Sequence, residues 1–171
     1  MRFFAGLIVG ILLLPVCAFL YVWFGYAPVA TAAPPLPLER TITRIALNAR
    51  IKKEAPKDSP VPANEANLLA GAKVYREYCA VCHGTAGEAK TATANGMFPA
   101  PPQLFKGKGV TDDPVGETFW KASNGIRLTG MPAYRGSLSD DQLWQVSQLL
   151  ANADKLPATV KDVMTLPSPA H

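Results

Sequence analysis

The sequence is short of the side chains that hold metals and run acid–base chemistry: its 171 residues include three cysteines and two histidines. Tetrahedral zinc needs four Cys or His ligands at suitable spacing. Beyond Cys79, Cys82 and His83, the chain offers only Cys17, inside an apolar run, and His171, the last residue. A zinc module is therefore disfavoured on ligand count. No stretch alternates apolar and polar residues over a useful length, so strands, and with them a thioredoxin-like dithiol in a βαβ setting, find no support. No basic stripe with interleaved aromatics appears, which argues against nucleic acid as a partner. The net charge of +4 is also unevenly placed. Between Asn64 and Ala158, nine lysines and arginines are matched by nine aspartates and glutamates, whereas residues 34–63 carry six basic against three acidic side chains. That basic segment suits anionic lipid headgroups better than nucleic acid. Charge is absent altogether from Phe3 to Leu38.

What the chain does have is Cys79-Ala80-Val81-Cys82-His83. C-x-x-C-H is the pattern for covalent attachment of haem c. Two thiolates add across the two vinyl groups, and the adjacent imidazole falls against the iron. Cys79 and Cys82 are thus the candidate tethers and His83 an axial ligand. A second axial ligand is expected downstream, far enough for an intervening helix to carry the chain to the other haem face. Met131, in Gly130-Met131-Pro132-Ala133-Tyr134, meets that requirement. A thioether is a soft ligand suited to haem iron, and His/Met ligation raises the reduction potential. Gly130 allows close backbone approach, and Pro132 restrains Met131 to an extended conformation. The usual role of a lone methionine is core packing. Met97 follows His83 too closely to be the better candidate, and Met164 falls in a polar tail. With both axial positions filled, the remaining chemistry is one-electron exchange. A haem enzyme or gas sensor would need Met131 off the iron, and an acid–base histidine that only His171 could supply.

Residues 67–153 resemble a class I monohaem cytochrome c of the membrane-anchored bacterial type, with C-x-x-C-H near the start, G-M-P-A-Y late and a terminal amphipathic helix. The resemblance implies an all-α, cytochrome c-like domain with one covalent haem c. It implies that Gly71 and Tyr75 pack the first helix against the last, with Leu143 and Trp144 as partners. It also implies a proline carbonyl on Nδ1 of the haem histidine, from either Pro101 or Pro102. Haem attachment in this family takes place outside the bacterial inner membrane, so the domain is expected to face the periplasm. Trp120 and Arg127 are candidates for hydrogen bonds to a haem propionate, although a core Trp and an exposed Arg are the commoner roles.

Along the chain, residues 1–33 read as a transmembrane anchor. As a helix, Phe3 to Tyr26 would extend about 36 Å, enough for a bilayer core of about 30 Å. Pro15 marks a kink or weak point, and Tyr21, Trp23 and Tyr26 suit the outer interface. A cleaved signal sequence with Ala30-Thr31-Ala32 as its site is the alternative, but the apolar run exceeds a usual signal core. Leu14-Pro15-Val16-Cys17 lacks the small residue expected before a lipidated cysteine, so Cys17 is expected to be a buried apolar side chain. The basic residues do not fix orientation, since Arg2 precedes the span while Arg40, Arg44 and Arg50 follow it.

Residues 34–63 read as a Pro-rich linker with a short basic helix at 39–54. That helix has Ile42, Ile45, Ala46 and Ala49 at helical spacing, and either lies at the membrane interface or docks on the domain. Pro56, Pro60 and Pro62 make 55–63 a semi-rigid spacer. The haem domain spans 64–156: a helix from Asn64 to Val81, a surface loop from Gly84 to Gly96, a helix opened by Asp113-Pro114 and closed by Asn124-Gly125, and a last helix opened by a capping box, Ser139 to Gln142. Residues 157–171 read as a mobile tail.

The expected role is a membrane-tethered electron carrier in a respiratory chain, between a quinol-oxidising or dehydrogenase donor and a terminal acceptor. A fixed cytochrome subunit of a multi-subunit respiratory dehydrogenase or oxidase is the alternative. A gas-binding or peroxidatic haem protein ranks last.

Overall fold

A computed structural model describes residues 2–106 and 113–166. All regular structure among them is helical, and the chain divides into two compact units, residues 1–40 and 41–171.

The first unit contains α1 (Arg2–Trp23), whose 22 residues run through Pro15 without a break. At 1.5 Å per residue it extends about 33 Å. It is long and apolar enough to cross a membrane. Its large apolar side chains are exposed. Cys17, expected to be buried, is exposed with them. Aromatic rings pair near its C-terminal end, Phe19 with Trp23 at 5.7 Å and Tyr21 with Tyr26 at 6.0 Å.

The second unit is built on the crossing of α3 (Glu65–Val74) with α7 (Asp140–Ala151). Asn64 caps α3, its side-chain oxygen accepting from the Asn67 amide at 2.9 Å. Ser139 and Gln142 form the expected capping box on α7. Gly71 is needed at the crossing, because a Cβ there would lie 2.2 Å from the Gln145 carbonyl oxygen. The backbone that Gly71 meets is therefore that of Gln145 and Val146, two residues beyond the expected Leu143 and Trp144. Both of those are buried in the same core, where Trp144 stacks on Phe119 at 3.9 Å.

After α3 the chain widens into one π-helical turn, Tyr75–Cys79, then continues as α4 (Ala80–His83) and stops at Gly84, which has φ +72°. The single expected helix is thus three segments. Such π turns cluster at functional sites because they re-aim side chains. Tyr75 is fully buried, and its hydroxyl donates to the Gly84 carbonyl at 2.7 Å. The expected loop after Gly84 includes a short helix, α5 (Ala92–Asn95), capped by Thr91. Next, α6 (Val115–Asn124) begins after Pro114 and ends at Gly125, with φ +65°.

Two stretches differ from expectation. Residues 55–63, expected to be a semi-rigid spacer, pack on the domain through their backbone. A Cβ on Gly116 would lie 1.7 Å from the Pro56 carbonyl oxygen, and Gln148 Nε2 donates to the Val61 carbonyl at 2.8 Å. The preceding α2 (Glu39–Glu54) is docked through buried Ile51 and through Glu54, which accepts from Trp120 Nε1 at 3.2 Å. The face expected to be apolar is instead exposed at Ile42 and Ile45. Likewise, the tail from Pro157 begins with α8 (Ala158–Thr165), which buries Val160 and Met164. Four residues apart, these two form one helical stripe, a pair too short to announce itself. His171 lies outside the described residues.

Candidate functional site

The α3-to-α4 segment, the chain from Met97 to Leu104, α6, the 125–134 loop and α7 enclose a cavity of about 810 Å³. That is the scale of a cofactor pocket, about 300–1,000 Å³. Cys79, Cys82, His83 and Met131 all line it, as do Pro101 and Pro102.

The histidine wall is fixed by one hydrogen bond. His83 Nδ1 lies 2.8 Å from the Pro102 carbonyl oxygen. A carbonyl only accepts, so Nδ1 carries the proton and Nε2 keeps its lone pair for a metal. Of the two prolines left open by the sequence, Pro102 makes the bond; Pro101 contributes only to the lining. Burial lowers the His83 pKa below its ordinary value, with the Pro102 bond opposing in part. The neutral imidazole that results is the ligating form. Burial, and then the nearby Cys82, push the Cys79 thiol up to about 12.

The methionine wall is a loop held by backbone contacts. Gly125 ends α6 at positive φ, where a Cβ would meet Ala133 N and Pro132 C at 2.7 Å. The Ile126 amide donates to the Met131 carbonyl at 3.2 Å, and the Met131 amide donates to Thr129 Oγ1 at 3.1 Å. The Tyr134 amide returns to the Ala122 carbonyl at 3.0 Å. Gly130 lies under Met97, whose methyl sits 1.9 Å from where a Cβ would be and would have to move aside for one. The two walls are joined where Tyr134 Oη donates to the Tyr78 carbonyl at 2.8 Å.

Trp120 and Arg127, candidates for propionate contacts, do not line the cavity. The Trp120 indole N–H is engaged by Glu54, and Arg127 is exposed. The residues that sequence reasoning missed are Arg44 and Leu47 of α2 and Thr118 of α6, all of them lining the cavity. Thr118 Oγ1 is buried with no hydrogen-bond partner among the described residues. A buried hydroxyl without a partner is costly unless an incoming group satisfies it.

These features fit haem c: a pair of thiols, an imidazole presenting Nε2, a thioether, an apolar enclosure and an unsatisfied donor for a carboxylate, all on one cavity. The family model for cytochrome c oxidase, cbb3-type, subunit III matches residues 66–150. The chain belongs to the c-type cytochromes. A chain of the Kuenenia stuttgartiensis reducing HAO-like protein complex is similar in structure, with a TM-score of 0.50 and 25% identity, over 58% of this chain and 49% of that one. This cytochrome thus spans about half of that chain's length. No curated protein matches it. The family match covers α3 through most of α7 and leaves out α2 and the Pro56 to Val61 segment that packs on the cytochrome domain.

Proposed function

We propose that this cytochrome is a membrane-tethered one-electron carrier of a bacterial respiratory chain, holding a single haem c through Cys79 and Cys82 with His83 and Met131 as axial ligands. The observation that carries this reading is the convergence of those four side chains on one cavity, with Nδ1 of His83 committed to Pro102. Haem c bound there supplies one-electron exchange between ferric and ferrous iron. The two cysteines tether it, the Pro102 carbonyl fixes the imidazole tautomer, and the backbone bonds around Gly125 hold Met131 in place. The predominantly apolar lining would limit the water around the haem, and with it reorganisation between the two oxidation states. With His83 and Met131 both holding the iron, no position would be left for oxygen or peroxide. On this reading α1 anchors the chain in the inner membrane with the haem domain in the periplasm, between a quinol-oxidising or dehydrogenase donor and a terminal acceptor.

The test uses full-length protein from a host that matures c-type cytochromes. One acid-stable haem per chain, a one-electron titration and no spectral shift with carbon monoxide in the reduced form are expected. Haem lost to acid extraction, or a carbon monoxide complex of the unmutated protein, would overturn the proposal.

A second reading, a fixed subunit of a larger redox assembly, draws on the matched family being an oxidase subunit and on the structural neighbour belonging to a protein complex. Stoichiometric co-purification of other subunits in mild detergent would favour it over a free carrier.

A further inference from the structure

We propose that Arg44 is a cofactor-binding residue, its guanidinium receiving a haem propionate at the cavity edge while Leu47 covers the apolar surface beside it. The inference rests on the haem reading above and adds residues from outside the family-matched region.

Arg44, Leu47 and Ile51 follow one stripe of α2, three and then four residues apart, the spacing that places side chains on one helix face. Ile51 is buried, and Arg44 and Leu47 line the cavity. The stripe is held in place by the Trp120–Glu54 hydrogen bond, by the Pro56 backbone against Gly116 and by the Gln148 bond to Val61. The two first contacts are both to α6, the helix that carries the unpartnered, buried Thr118 hydroxyl on the cavity wall. An anionic oxygen entering with the cofactor would satisfy both the hydroxyl and a cation.

Among the described residues, the other Lys and Arg side chains on the cavity are Lys90, Lys106 and Lys121. Lys121 is already paired, with Asp113 at 3.0 Å and Glu117 at 3.6 Å. Arg44 has no ion-pair partner among the described residues. Its planar fork also matches a carboxylate in a bidentate way that an ammonium cannot.

The test is the reduction potential of the haem-loaded full chain as a function of salt. Ferric haem carries one more positive charge than ferrous haem, so pairing a propionate with Arg44 favours the reduced form. In Arg44→Gln the equilibrium constant for reduction should fall by about two- to fivefold, the range for one partly exposed ion pair. At 59 mV per tenfold change that is a fall of about 20–40 mV. The difference from the parent should shrink as salt rises, since screening removes it. Arg44→Lys should keep most of the parental potential, and Lys52→Gln, on the same helix but off the cavity, should leave it unchanged. A parental potential in haem-loaded Arg44→Gln, or an equal fall in Lys52→Gln, would overturn the inference. Should Arg44→Gln not retain haem, Arg44→Lys decides: a salt-dependent parental potential supports the contact, and a salt-independent one overturns it. Absence of haem from the parent would instead refute the haem reading itself.

Discussion

The two walls of the cavity are built on different principles. The histidine wall is a helix end, in which the π turn, α4 and Gly84 set the backbone and one carbonyl, from Pro102, sets the imidazole. The methionine wall is a loop, and its shape comes from main-chain contacts around Gly125 and from Met97 packed over Gly130. A helix end carries several functional side chains in fixed relation, so it suits attachment. A loop offers one side chain whose reach depends on its hinges, so it suits adjustment of a single contact to the cofactor. On this account, damage to the first wall removes the cofactor, and damage to the second alters its chemistry.

The largest expected effect breaks that asymmetry directly. Cys82→Ala should sharply reduce the haem that survives acid extraction, while Met131→Ala should keep it; equal loss in both would remove the distinction. Next come the hinges. Gly125→Ala must force a Cβ against backbone atoms at positive φ, with an expected cost of about 1–3 kcal/mol in chemical denaturation. Gly130→Ala meets only the flexible end of Met97 and should cost less. A larger cost at Gly130 would show that Met97 is rigidly held. On the histidine wall, Tyr75→Phe strands the Gly84 carbonyl and should cost about 1–2 kcal/mol.

Tyr134→Phe, which cuts the link between the walls, should cost the least, about 0.5–1.5 kcal/mol. It also has a pH signature. Burial, followed by the two nearby cysteines, pushes the Tyr134 phenol up to about 12. The unfolded chain loses this proton near 10. The contribution to stability is therefore complete below pH 10 and disappears as pH rises from 10 toward 12. The buried Tyr75 phenol is raised as well and leaves part of the decline in place, so a shallower alkaline decline in Tyr134→Phe than in the parent would assign the difference to Tyr134, and parallel curves would contradict it.

The motif-bearing half of the domain was legible because its signals are local. C-x-x-C-H, the capping box at Ser139 and Asn124-Gly125 each place side chains or backbone within a few residues, and the observed elements follow them. The docked flanks were not legible, because they attach through backbone. The Pro56 carbonyl rests on Gly116, and the Val61 carbonyl accepts from Gln148. Neither leaves a pattern in the prolines and charges of 55–63. The stripe through Arg44, Leu47 and Ile51 was present in the sequence, but the Ile42 and Ile45 stripe is more apolar and masked it. Choosing Pro102 over Pro101 needed coordinates, since adjacent prolines have the same chemistry and differ only in where their carbonyls point.

The most direct test of the account is the near-infrared spectrum of the oxidised protein, compared among the parent, Met97→Ala and Met131→Ala. A sulfur-to-iron charge-transfer band is predicted in the parent and in Met97→Ala and should be missing from Met131→Ala. A band that persists in Met131→Ala would put another sulfur on the iron and contradict the assignment of the methionine wall.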